Sequence, residues 1–152
     1  MQVVWGGSSA PDLNQAIKGW IERHIWENGR ELPEAVTMGV FENGQIQAGV
    51  AFHDWNPDAG VIEISAASKS KRWLTRNVLK ELFGYAFQHV RCQMVVARID
   101  PSDEPLTRIF KAYGFVEHRI PRLLGRDRDQ LIMTLTDDDW RANKFNRKNE
   151  VI

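Results

Sequence analysis

From Gly60 to Ala67 the chain reads Gly-Val-Ile-Glu-Ile-Ser-Ala-Ala, a β-branched apolar run. Beyond it Leu74, Val78, Leu82, Ala86 and Val90 recur on one helical stripe, with Leu79 and Phe83 beside them. The first pattern predicts a strand and the second a helix reaching about His89. Upstream, Leu13, Ile17, Trp20, Ile21, His24 and Ile25 make another helical stripe behind Ser8, Ser9, Pro11 and Asp12, and Asn28-Gly29 stops it. Met1 to Trp5 reads as a short edge strand. Two longer strands, Ala35 to Phe41 and Gln45 to Trp55, flank Glu42-Asn43-Gly44, a strong hairpin signal. Asn56-Pro57-Asp58-Ala59-Gly60 makes a second tight turn. Gln93 to Ile99 predicts a strand broken by Pro101, and Glu104 to Tyr113 a short helix closed by Gly114. Val116 to Pro121 and Gln130 to Thr136 then pair across a loop running from Gly125 to Asp129. The order β-α-β-β-β-α-β-α-β-β predicts an α/β (α+β) fold, one mixed sheet with helices on its faces. It fills residues 1–140, and 141–152 lose apolar periodicity and read as a polar tail.

Composition narrows the classes. With 152 residues, 43% of them hydrophobic, a single domain can bury a core without metal or disulfide support. Formal net charge is zero, so no global field draws the chain to nucleic acid, and electrostatic selectivity must be local. Cys92 is the only cysteine; no disulfide forms within the chain, zinc spacings are missing, and no metal is expected. No apolar run reaches membrane-spanning length and no secretory leader opens the sequence, which leads us to expect a cytoplasmic protein. A homodimer is kept as an assembly to test. The tryptophans and Met38, Met94 and Met133 read as core, except Trp55 at a hairpin end.

Charge is uneven in one place. Lys69, Lys71, Arg72, Arg76 and Lys80 stand between Glu63 and Glu81 with no acid among them, at a strand-to-helix junction. A helix N-terminus already presents unpaired N–H groups and a partial positive charge. Cations added there are destabilising unless an anion neutralises them, and phosphate or pyrophosphate is the common partner. A solvated basic helix start without ligand is the plainer alternative.

Three segments resemble the GCN5-related N-acetyltransferase (GNAT) superfamily: Val-Ile-Glu63-Ile, the loop and helix from Ser68 to Leu82, and Ser102-Asp-Glu-Pro-Leu-Thr-Arg-Ile-Phe-Lys-Ala-Tyr-Gly-Phe115. The last is similar to the family's N-x-x-A-x-x-L-Y-x-x-x-G-F stretch. The resemblance, covering about Pro11 to Trp140, implies acetyl-CoA as co-substrate and direct attack of an amine on the thioester. It implies that the pantetheine arm pairs with the strand at Ser65, Ala66 and Ala67, and that the pyrophosphate meets Lys71, Arg72, Trp73, Leu74, Thr75 and Arg76. It also places Glu63 as general base; amines arrive protonated, and a carboxylate on a half-apolar strand accepts their proton directly or through water. His53 is the reserve base. The usual loop, [QR]-x-x-G-x-[GA], is changed here: Ser70 takes its first position, and Trp73 and Thr75 replace the glycines. Arg-Trp loops of this kind resemble those of GNAT-like proteins carried by bacteriophages. The family's acid, a tyrosine, aligns with Phe110, and Asp103 replaces the usual asparagine. The binding-class alternative is a non-catalytic GNAT-like phage or accessory protein whose basic loop holds nucleic acid or a protein partner.

Overall fold

A computed structural model describes residues 1–146, so the end of the expected tail, 147–152, lies outside the described residues. The elements are β1 (Gln2–Trp5), α1 (Pro11–Ile25), β2 (Ala35–Glu42), β3 (Gln45–Asn56), β4 (Val61–Ser68), α2 (Arg76–Gly84), β5 (Met94–Ile99), α3 (Glu104–Tyr113), β6 (Val116–Gly125), β7 (Arg128–Thr136) and α4 (Asp137–Ala142). A 3₁₀ turn, Lys71–Trp73, precedes α2, and a π-helical turn, Tyr85–Val90, follows it. The sequence order is the predicted one, with α4 added. All seven strands join one sheet in the order β1-β2-β3-β4-β5-β7-β6. Every neighbouring pair is antiparallel except β4 with β5, the pair that the α2 crossover connects.

Alternation along the strands divides the interior into two layers. Val50, Phe52, Ile62, Ile64 and Val95 face α2, the π turn and α3, and pack with Val78, Leu82, Phe83 and Phe110. Ala51 and Ala67 face the other way, toward Ile17 and Ile21 of α1. Gly39 and Gly49 are cross-strand partners under α1. A Cβ on Gly49 would stand 2.8 Å from Ile21 Cγ1, and one on Gly39 would stand 3.2 Å from Ile17 Cδ1. Their missing side chains let the helix rest directly on the sheet. Behind it, Glu22 takes Lys18 Nζ and the Leu32 N–H, each at 2.7 Å, which fastens the coil before β2 to α1.

Four details differ from the sequence reading. α1 stops at Ile25 instead of Asn28-Gly29, because Trp26 turns extended and packs with the Ile17–Ile21 layer. The single helix expected up to His89 is three pieces, a 3₁₀ turn, an α-helix and a π turn. The loop Gly125 to Asp129 shrinks to a turn at Arg126-Asp127, with a pairing irregularity between Ile120 and Gly125. Finally, the chain from Trp140 to Asn143 is tied down: Trp140 Nε1 donates to the Tyr113 hydroxyl and Asn143 Nδ2 to the Tyr113 carbonyl, both at 3.1 Å. Apolar periodicity does not report such polar anchoring.

Gly49→Ala should destabilise the fold by about 1–3 kcal/mol, since Ile21 must leave its position or α1 must lift. Urea unfolding checks this, and an unchanged midpoint would mean that α1 is not seated on the sheet at this point.

Candidate active site

β4 and β5 run together for four residue pairs, Val61↔Met94 to Ile64↔Ala97. β4 then continues to Ser68 on β3 alone, and β5 to Ile99 on β7 alone. The two strands part, and the β5-facing edge of Ser65, Ala66 and Ala67 has no strand across from it. Backbone N–H and C=O groups are obligatory hydrogen-bonding groups, so such an edge accommodates an extended ligand. The far wall ends in a tight turn. Asp100 Oδ1 accepts from the Ser102 N–H at 2.9 Å and the Ser102 hydroxyl at 2.8 Å, and Arg128 Nη2 donates to Oδ2 at 2.7 Å. The two Ser102 bonds, opposed by burial and aided by Arg128, hold this carboxyl below its ordinary range.

The basic segment lies at the mouth of this cleft, in a narrower form than the sequence suggests. Trp73 is only 3% exposed and belongs to the core. The N–H groups of Leu74 and Thr75 bond back to Lys71 and Trp73 carbonyls. Thr75 caps α2 by accepting from the Val78 N–H at 3.2 Å. The Arg76 and Asn77 N–H groups of the first helical turn have no intrahelical acceptor and are available to an anion. Of the five cations, Lys71 binds Asp103 at 2.8 Å and so clasps the loop to the start of α3. Arg76 stacks over Phe145. Lys69, Arg72 and Lys80 make no ion pair among the described residues.

Glu63 is on the α1 face of β4, its side chain 21% exposed, with Arg98 Nε 3.4 Å from Oε2. Its cross-strand partner is His53. His53 is 5% exposed; Nδ1 lies 2.5 Å from Asp54 Oδ2 and Nε2 2.8 Å from Ser65 Oγ. Asp54 is what the sequence reading missed. It follows His53 directly and has φ 55°, in a bulge between His53 and Asn56 that turns its carboxylate back onto the ring. The turn at Asn56 is legible in the sequence, but counting back from the Asn56↔Val61 pair sets Asp54 opposite Glu63; the bulge shifts the register by one and puts His53 there instead. Ligand atoms of His53, Asp54 and Glu63 lie within 4.8 Å of one another. Both imidazole nitrogens and the Glu63 carboxylate are already engaged, so the donor set suits proton transfer better than metal binding.

A cavity of about 700 Å³ opens below this network, between the start of α1, the end of β3 and the π turn. His53, Asp54, Trp55 and Tyr85 line it, whereas Glu63, Ser65 and the basic loop do not. It is therefore separate from the cleft, with His53 as their common wall. Burial pushes the Tyr85 phenol up, so it stays protonated.

Other candidate groups are structural. Cys92 is buried, which pushes its thiol up to about 11 and removes it as a nucleophile. Burial also raises the Tyr113 phenol, whose hydroxyl is taken by Trp140. Phe110 is 9% exposed and stacks on Phe115 with ring centroids 4.6 Å apart.

No protein-family model matches the chain, and no curated protein does. Solved structures do. The chain superposes on the spermidine/spermine N-acetyltransferase SpeG from Vibrio cholerae with TM-score 0.67, over 91% of this chain and 96% of that one, at 12% identity. With yncA from Salmonella typhimurium, solved with its cofactor acetyl-CoA, the TM-score is 0.66 over 90% and 93%, at 18% identity. With a GCN5-related N-acetyltransferase from Brucella melitensis it is 0.62 over 77% and 57%, at 17% identity. The first solved chains in the comparison are longer than the shared part, which takes in 63%, 57% and 66% of three of them. Identities this low carry the architecture and leave the chemistry to the residues. A seven-stranded mixed sheet whose parallel fourth and fifth strands part over an α-helix start is the GCN5-related N-acetyltransferase fold, and this chain has it.

Proposed function

We propose that the protein is an N-acetyltransferase that takes the acetyl group of acetyl-CoA and transfers it to a primary amine. The observation that carries this reading is the parting of β4 and β5 after Ile64 and Ala97, with the first turn of α2 and the cations Arg72 and Arg76 at its mouth. The cleft takes the pantetheine arm along Ser65–Ala67, and the loop takes the pyrophosphate. Lys71 would exchange Asp103 for phosphate, and the Arg76 and Asn77 N–H groups would donate. Replacing Lys71, Arg72 and Arg76 together by alanine should weaken coenzyme A binding, each charge-assisted contact contributing about 1.5–3 kcal/mol when formed. Calorimetry measures it. Wild-type protein that gives neither binding heat nor a thermal shift with acetyl-CoA would overturn the reading.

Glu63 is the base for the amine. Arg98 orients its carboxylate, and its exposure leaves room for an acceptor or a bridging water. Glu63→Gln should keep coenzyme A affinity and lose roughly 10²-fold in turnover, because the amide keeps the size but cannot take the proton. Steady-state rates on an active amine decide it, and an unchanged rate would make Glu63 only a partner of Arg98.

Phe110 offers no acid. Its stacking on Phe115 makes it part of the core, so Phe110→Tyr should destabilise by about 1–3 kcal/mol without raising turnover, since the added hydroxyl is buried. Denaturant unfolding alongside rate measurements tests this, and a faster enzyme of full stability would place Phe110 at the cleft.

A second reading has its own support. The loop's internal bonds at Leu74, Thr75 and Val78 and the Lys71–Asp103 clasp leave fewer donors for phosphate than a glycine loop does. They favour a GNAT-like binding protein without turnover, which holds nucleic acid or a protein partner on its basic loop. The acetyl-CoA titration separates the two.

A further inference from the structure

The cavity between the start of α1, the end of β3 and the π turn has a lining of one electrical character. Two carboxylates, Glu34 and Asp54, border it, and no lysine or arginine does. Phe52, Trp55, Tyr85 and His89 supply its aromatic walls. Both acids have spare capacity. Glu34 is exposed and makes no ion pair among the described residues. Asp54 gives Oδ2 to His53 Nδ1, and its side chain is still 60% exposed, so Oδ1 is open to a ligand.

Two uncommon pieces of backbone bring these groups together. Asp54 has φ 55°, a left-handed conformation that a non-glycine residue adopts at a cost, within the bulge near the end of β3. Tyr85, His89 and Val90 come from the π turn that interrupts the helix after α2. Backbone irregularities of both kinds gather at ligand sites. The wall is also set before any ligand arrives, since the Tyr85 ring centroid lies 4.7 Å from that of Phe52 and 5.2 Å from that of His89.

This lining selects an organic cation. An anion would meet two carboxylates and no counter-charge. Calcium or magnesium takes about six or more oxygen ligands, whereas these walls are largely aromatic and aliphatic. An ammonium head gains from the carboxylates and from ring faces together. The volume, about 700 Å³, suits a small molecule. We propose that the cavity is a binding site for a small organic cation, an alkylammonium or quaternary ammonium without a carboxylate of its own, separate from the place of acetyl transfer. His53 stands between the cavity and Glu63, so a cation held there does not present its nitrogen to the base. The site does not require acetyl-CoA.

Choline tests this without entering the transfer chemistry, because its charge is permanent and it has no N–H to acetylate. Its uncharged counterpart is 3,3-dimethylbutanol. In two-dimensional NMR, choline should shift the Trp55 indole N–H and the amides of Asp54 and Tyr85–Val90. Calorimetry should give it an affinity about tenfold or more above that of the alcohol. Glu34→Gln with Asp54→Asn should weaken choline about tenfold, and so should Trp55→Ala, whereas Trp55→Phe keeps a ring face and should retain most of the affinity. Asparagine tolerates the backbone conformation of Asp54, and Glu34 and Trp55 are exposed, so these variants should keep the wild-type unfolding midpoint. The site is overturned if choline shifts nothing up to about 50 mM, if the alcohol binds as well, or if the shifts gather at Glu63 and the α2 loop instead. Choline that competes with the amine acceptor in a transfer assay would make the cavity the acceptor pocket and overturn the separation. If acetyl-CoA gives no binding heat while choline shifts these residues, the transferase reading falls and the cation site stands.

Discussion

The parallel ladder between β4 and β5 is the constraint on which the rest of the molecule depends. On one side β1 to β4 form an antiparallel block, and on the other β5, β7 and β6 form a second. Only four residue pairs join them. Two antiparallel blocks, each twisting in its own right, separate where the ladder ends, and the Asp100 turn stops β5 there while β3 carries β4 onward. The cleft is thus made by backbone hydrogen bonding, and side chains furnish it afterwards. Parallel strands need a long crossover, here made by α2, so the positive end of that helix arrives at the mouth of the cleft as a consequence of the same topology.

The loop in front of α2 differs in its means from a glycine loop, and on the proposed reading it keeps the anion site. Glycines would let backbone approach a phosphate closely. Here Trp73 anchors the loop in the core, Thr75 caps the helix, and internal bonds absorb several N–H groups. On the proposed reading, recognition moves from backbone to side-chain charge. Lys71 stands between these roles, since the Asp103 carboxylate that holds it also caps α3. An anion entering the cleft competes with that clasp.

On the opposite face the network of Glu63, Arg98, His53, Asp54 and Ser65 collects groups from three strands into one polar, hydrogen-bonded surface. It is held by register: His53 faces Glu63 across the β3–β4 pair, and Ser65 is two residues further along the same face. A slip of one residue would send all of them into the apolar layer.

Much of this was legible in the amino-acid sequence, for a simple reason. Strand and helix order follows from local periodicity and turn chemistry, as at Asn43-Gly44 and at Gly114, and those are properties of neighbours in the chain. The excess of cations before α2 could be counted directly, and Glu63 stood out as an acid within an apolar strand. The sequence by itself therefore determined the element order and the mixed sheet, and it marked the cation-rich segment before α2 as the place to look for an anion. Only the tertiary structure decided that Trp73 is core, that Lys71 is clasped to Asp103, that Phe110 stacks on Phe115, and that Asp54 turns back onto His53. The physical reason is distance along the chain or local backbone geometry. Lys71 and Asp103 meet only because β5 brings α3 beside the loop, and Asp54 reaches His53 only because a bulge breaks strand alternation. Periodicity carries no record of either.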